Sequence, residues 1–379
     1  MHHYLFAILI VLSSSFTAHS ASQTDCTKHH CIAVVNAGST GSRVYIYSYD
    51  LDSTHTPINI TEVWNNSIKP GLANMMHEPS TVPSYLNKLF EQAPTYKLRV
   101  YFYATAGMRL VSKTDSNSVY NLIKKWFTQK KNLNLVDIRT ISGEEEGFFD
   151  WLSVNYQLKR LNQDNQPLVA VIDIGGASTQ IALPIHGNKK SIKKLPHLYS
   201  FSLYGKTLKI VSYSFLGLGE NELLDGFKSY FPCYTQGYPL SAESKGTGNM
   251  LQCVQSISKK MNAQFSLNQI KTIVSHYPPK EWYLIGGITD MLKENNLSIN
   301  DKFTNHEMAS LSGKNLCQNN WSQLQKQYSG KELFKACAAS SYLYSLLVNG
   351  YGLPIKQSIH LMPSNTNSDW ALGVVFAHY

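Results

Sequence analysis

Short apolar runs that end abruptly in glycine and hydroxyl residues recur along this chain. Val169 to Leu183 reads as a buried strand carrying Asp173, a turn through Gly175 and Gly176, and a returning strand. Val34 to Tyr47 repeats that pattern, with Asn36 where Asp173 stands. Leu98 to Ala104 is another strong strand, and it runs into Thr105-Ala-Gly-Met-Arg109. Tyr213 to Leu216 enters Gly217-Leu-Gly219, and Trp282 to Ile285 ends in Gly286-Gly287. Helical spacing is expected over 84–92, 118–130, 141–156 and 337–348, the second of these with Val119, Leu122, Ile123, Trp126 and Phe127 on one face. At 379 residues the chain exceeds what one core usually serves, so the pattern and its repeat predict two domains of roughly 100 to 200 residues each.

The repeated turn has a chemical meaning. Glycines let backbone N–H groups approach an anion closely, and an Asp at a strand end holds a divalent cation directly or through water. One copy is equally an ordinary glycine hairpin; two copies favour a shared phosphate site. Gly217 and Gly219 lack the third glycine of a dinucleotide fingerprint, and no Walker-type Gly-Lys-Ser/Thr occurs.

Helix 141–156 opens on three consecutive glutamates that differ in meaning. Ser142 with Glu145 three residues on forms a capping-box pattern, and Glu144 in the first turn complements the helix dipole. Glu146 has neither explanation, which makes it the candidate general base.

Composition narrows the setting. Tyr4 to Leu12 is an apolar run too short to span a bilayer, followed by Ala18-His19-Ser20, so residues 1–20 are expected to be a signal peptide. No later segment is apolar enough for a transmembrane anchor, and a secreted or periplasmic protein is expected. Six cysteines in an exported chain favour disulfides over zinc, including at Cys26-Thr-Lys-His-His-Cys31. The sequential pairs Cys26 with Cys31, Cys233 with Cys253 and Cys317 with Cys337 each close a short loop. A net charge of +9 fits an anionic substrate. The dense basic run at Lys189, Lys190, Lys193 and Lys194 comes with no nucleic-acid recognition motif and reads as a solvated loop.

Together these segments resemble the apyrase family, the nucleoside triphosphate diphosphohydrolases, over nearly the whole mature chain. The matching residues are Ala37-Gly-Ser-Thr-Gly-Ser-Arg43, Lys69-Pro-Gly-Leu72, Ala104-Thr-Ala-Gly-Met-Arg109, Gly143-Glu-Glu-Glu-Gly147 through Trp151 and Asn155-Tyr156, Asp173-Ile-Gly-Gly-Ala-Ser-Thr-Gln180, Ser214-Phe-Leu-Gly-Leu-Gly219 and Trp370-Ala-Leu-Gly373. The resemblance implies an α/β protein of two RNase H-like domains, actin- or hexokinase-like, with the active site in the interdomain cleft. The expected division is 21–143 plus 356–379 for the first domain and 144–355 for the second.

The resemblance also implies roles. Backbone N–H groups of Gly38 to Gly41 and of Gly175, Gly176 and Ala177 would hold terminal phosphates, with Ser39, Thr40 and Arg43 contributing side chains. Glu146 would activate water, and Ser178 and Gln180 would orient it. Asp173, Asn36, Thr105 and Trp370 would surround a hydrated Mg²⁺ or Ca²⁺. The nucleobase would stack on Tyr342, Tyr344 or Tyr351. The expected partners are nucleoside tri- and diphosphates, met by a monomer that binds no nucleic acid.

One residue departs from the family pattern, whose first motif usually begins with Asp. Asn36 removes a negative charge from the cation site. The alternatives are an exopolyphosphatase-like phosphohydrolase, which would share the hairpins but not the Ala104–Arg109 and Trp370–Gly373 motifs, and, because of Asn36, a non-catalytic nucleotide-binding protein.

Overall fold

The computed structural model describes residues 25–163, 166–187, 192–328, 332–363, 366 and 369–378. The signal peptide expected at 1–20 lies outside them, as do Lys189 and Lys190 of the basic run. The expected disulfides Cys26–Cys31, Cys233–Cys253 and Cys317–Cys337 are all formed.

Strands were assigned in chain order as β1 His30–Ala37, β2 Ser42–Leu51, β3 Pro57–Ile68, β4 Leu98–Ala104, β5 Leu133–Thr140, β6 Ala170–Ile174, β7 Ser178–Pro184, β8 Leu198–Leu203, β9 Lys206–Leu216, β10 Trp282–Gly286, β11 Lys302–Thr304 and β12 Ser358–Leu361. They form two sheets, ordered β3-β2-β1-β4-β5 and β11-β12-β10-β6-β7-β9-β8. In the first, β1 runs antiparallel to β2 and parallel to β4, which is parallel to β5. In the second, β6 runs antiparallel to β7 and parallel to β10, which is parallel to β12. The repeat seen in the sequence is thus a repeat of sheet topology, with one glycine hairpin at the corresponding point of each sheet.

Side-chain alternation assigns each strand's residues to one of two layers. In β1, Ala33 and Val35 join the outer core of the first sheet with Leu86, Phe102, Val119 and Ile123. Ile32 and Val34 face the other way, into a central core with Val169 and Val171 from β6 and its approach. Ala170, Ile172 and Ile174 face the outer core of the second sheet, under the Met250–Gln264 and Ala336–Tyr344 helices.

Two helices fill the central layer. The Gly143–Gln157 helix packs on β6, β7 and β9, and the Ala371–Val375 helix packs on it and on β1 and β2. Trp151 is buried there with its indole N–H on the Val169 carbonyl at 2.8 Å.

The expected boundary at 356 falls just before β12. β12 pairs in register with β10, Ile359 opposite Trp282, so residues up to Leu361 complete the second sheet. The chain returns to the first sheet only around Asp369 and the helix that follows.

Candidate active site

A cleft of about 420 Å³ lies where the two glycine hairpins face each other. Strand parity explains its lining. Asn36 shares the face of Ile32 and Val34, Thr105 continues the face of Tyr101 and Tyr103, and Asp173 shares the face of Val169 and Val171. Ser178 and Gln180 share the face of Ala182. All five therefore enter the central layer at the ends of their strands, where the apolar contacts stop.

Of the expected phosphate-binding residues, Gly38, Ser39, Thr40, Arg43, Gly175, Gly176 and Ala177 line the cleft, and Gly41 completes the first turn behind them. Asn36, Thr105, Asp173 and Trp370, expected around a cation, line it too, as do Glu146 and Ser178. Each hairpin is braced from behind by a glycine. A side chain on Gly71 would run into the backbone of Gly38 and Ser39, and one on Gly219 would meet Ala177 and Ser178 backbone atoms at 2.5 Å. The Lys69-Pro-Gly-Leu72 and Ser214-Phe-Leu-Gly-Leu-Gly219 segments are thus supports for the two turns.

Glu146, Ser178 and Gln180 are connected. The Gln180 side-chain amide donates to Glu146 Oε2 at 3.1 Å and to Ser178 Oγ at 2.8 Å. Ser178 thereby accepts from Gln180 and keeps its own hydroxyl proton to donate. Gln180 Oε1 is buried and has no partner. Arg109 pairs with Glu146 Oε2 and also reaches Ser214 Oγ at 3.4 Å. Burial raises the Glu146 carboxyl to about 7 against the lowering effect of Arg109.

Glu145 behaves as a structural residue. Its backbone N–H donates to Ser142 Oγ at 3.1 Å, giving half of the capping box. The reciprocal half is replaced, because its carboxylate takes two bonds from Arg139, at 2.7 and 2.5 Å.

Sequence reasoning missed two carboxylates. Asp150, one turn after Glu146 on the same helix face, and Asp369, directly before Trp370, both line the cleft. Asp150 is 2% exposed, and its Oδ2 has no hydrogen-bond partner. Burial pushes the Asp173 carboxyl up to about 8, with the charges of Glu146 and Asp369 adding to the effect. Asp150 is raised by burial and then by Asp173, Glu146 and Asp369. The i, i+4 spacing was a signal available for Asp150; none marked Asp369 apart from its neighbour.

The donor chemistry fits a hydrated divalent cation. Asn36 Oδ1 and Asp150 Oδ2 are buried oxygens without partners, set among carboxylates whose crowding a cation would relieve. Among the described residues no three His, Cys, Asp or Glu side chains converge to hold a metal directly.

The three tyrosines expected to stack on a nucleobase lie away from the cleft. Tyr342 and Tyr351 are fully buried in the outer core of the second sheet, with hydroxyls on the Leu218 carbonyl at 2.7 Å and on Thr179 Oγ1 at 2.8 Å. Tyr344 packs against the same core and lines a separate groove with Leu251 and Val348. None of the three lines the cleft. A tyrosine on an apolar helix buries its ring, and here a carbonyl or hydroxyl within the core satisfies its O–H. Glu220, Asn221 and the Ile285–Gly287 and Thr289–Asp290 stretches also line the cleft.

Known proteins resemble this chain in sequence and fold. The chain is 25% identical to bovine (Bos taurus) ectonucleoside triphosphate diphosphohydrolase 1, over 90% of its own length and 79% of that protein's. It is 25% identical to probable apyrase 5 of Arabidopsis thaliana, covering 97% and 86% of the two chains. Among solved structures, that of nucleoside triphosphate hydrolases from Neospora caninum superposes with a TM-score of 0.59 at 16% identity, covering 91% of each chain, which shows the shared actin-like fold. The profile of the GDA1/CD39 (nucleoside phosphatase) family matches residues 22–379, so the chain belongs to that family.

Proposed function

We propose that this protein is an exported apyrase that hydrolyses nucleoside tri- and diphosphates to the monophosphate and phosphate. The observation that carries this reading is the junction of the two glycine hairpins with the Glu146–Gln180–Ser178 chain in one cleft. Phosphoryl transfer to water needs positioning and charge neutralisation more than covalent chemistry from the protein. Backbone N–H groups of the two turns cradle the terminal phosphates, while Ser39, Thr40 and Arg43 add donors.

The attacking water needs acceptors for its two hydrogens and a base for one of them. Glu146 is that base, held near neutral pKa by burial. Gln180 Oε1, buried without a partner, is the second acceptor. The Ser178 hydroxyl, bound from the side by Gln180, steers its proton toward the phosphate or the water. Asp173, Asp150, Asn36 and Thr105 would hold the hydrated Mg²⁺ or Ca²⁺. That cation supplies charge neutralisation on the phosphates. Export is supported by the three disulfides.

Phosphate release from ATP, ADP and inorganic polyphosphate, with Mg²⁺ or Ca²⁺ and then with EDTA, tests the reading. Release from both nucleotides that EDTA stops is expected. Release from polyphosphate alone would make the protein an exopolyphosphatase, and binding without release would make it a nucleotide-binding protein.

A further inference from the structure

Asn36 is the one departure from the first hairpin motif, and its side chain has an unusual partner. Its amide nitrogen donates to both oxygens of Asp369, at 3.0 and 2.9 Å. Tyr45 donates its hydroxyl to Asp369 Oδ2 at 3.1 Å, and the Ala371 backbone N–H donates to Oδ1 at 3.0 Å. Ser153 Oγ binds the Asp369 backbone carbonyl at 2.9 Å, which fixes the main chain as well. Three groups, from the first sheet and the C-terminal helix, thus hold one carboxylate at the cleft wall, and a fourth, from the central helix, fixes its backbone.

We propose that Asn36 and Asp369 together replace the single carboxylate of the usual motif: Asp369 supplies the negative charge at the cation site, and Asn36 positions it. The proposal rests on the divalent-cation reading above and names the residue that makes it workable in this chain. An aspartate at position 36 would bring one charge to the hairpin end. Here the neutral amide recruits one charge from the C-terminal segment, so the pair carries the same net charge. Orientation supports this. With the Asn36 amide nitrogen committed to Asp369, its Oδ1 is left buried and unpartnered in the cleft, 6% of the residue being exposed. A carbonyl oxygen there is an acceptor for cation-bound water. A link serving only to pin the C-terminal segment would have no need of a partnerless oxygen in the same cleft as Asp173 and Asp150.

The test is cation affinity measured by titration calorimetry with Ca²⁺ and with Mg²⁺ on nucleotide-free protein, for wild type, Asp369→Asn, Asn36→Asp and the double swap, with folding checked by circular dichroism. Asp369→Asn should weaken cation binding by roughly tenfold or more. The double swap, which moves the carboxylate onto the hairpin, should recover most of that loss. Asn36→Asp alone sets two carboxylates at hydrogen-bond distance and should lower the melting temperature without cation, with Ca²⁺ restoring it. Folded Asp369→Asn that binds the cations like wild type overturns the proposal, as does a folded double swap that binds no better than Asp369→Asn. Wild type that binds neither cation overturns the cation reading itself and the proposal with it.

Discussion

Arg109 and Glu146 form an ion pair in the cleft wall, with side chains 14% and 8% exposed. Arg109 ends the short helix after β4, so the pair ties the first sheet to the central helix that carries Glu146. Two opposing effects act on one carboxyl. Burial favours the protonated acid and the guanidinium favours the carboxylate, and burial wins.

Replacing Glu146 by Gln should lower the turnover of ATP and ADP by about 10²- to 10⁴-fold while leaving nucleotide affinity near wild type. Glu145→Gln should keep turnover within about threefold, because Glu145 serves Arg139 and the helix start. Steady-state rates beside nucleotide titrations check both. Reversed outcomes would mean that the base is Glu145.

Arg109→Ala removes the group that opposes the burial effect. The Glu146 carboxyl should then rise further, so the ascending limb of the pH–rate profile should move to higher pH. Rates at pH 7 should fall more than rates at pH 9. A uniform loss at all pH values would show that Arg109 acts elsewhere.

Glu146 also links stability to pH. Its folded pKa of about 7 lies above the ordinary 4.5, so between those values the folded state holds a proton that the unfolded chain has lost. Stability from this group is therefore present below about pH 4.5 and falls as pH rises toward 7. The Gln variant mimics the neutral acid and lacks that fall. Urea denaturation of cation-free protein should show wild type losing stability relative to Glu146→Gln between pH 4.5 and 8, by on the order of 3 kcal/mol. A gap that does not change with pH would contradict the raised carboxyl.

Gly219→Ala should disturb the second hairpin from behind. The added methyl has no room against Ala177 and Ser178, whose backbone must shift. A stability cost of about 1 to 3 kcal/mol is expected, together with weaker binding of nucleotide. Thermal melts and nucleotide titration would reveal it, and an unchanged variant would show that the support is dispensable.

Tyr351→Phe tests whether the buried tyrosine acts in the core or at the nucleobase. Losing the hydroxyl strips Thr179 of its partner and should cost about 1 kcal/mol in stability. The ratio of ATP to UTP or GTP hydrolysis should stay unchanged. A shift in that ratio would return this tyrosine to the base site.

Much of the site was legible because its causes are local. Alternation in β1, β4, β6 and β7 sends Asn36, Thr105, Asp173, Ser178 and Gln180 to one layer, and that alternation is readable wherever an apolar run is. Ser142 announced the helix that carries Glu146, and an even set of cysteines at short spacings pointed to the three disulfides. The glycine turns declared themselves by composition.

Tertiary structure decided the rest. Asp369 sits 333 positions from Asn36, and nothing in the residues around it separates a cleft carboxylate from an exposed helix start. Only the packing of the Ala371–Val375 helix onto β1 and the Gly143–Gln157 helix brings it to the hairpin. The tyrosines went the other way, because burial of a ring in the second sheet's outer core depends on which helix covers that sheet. Periodicity tells which face a side chain takes. What stands opposite that face is a matter of how two sheets stack, and that is not a local property of the chain.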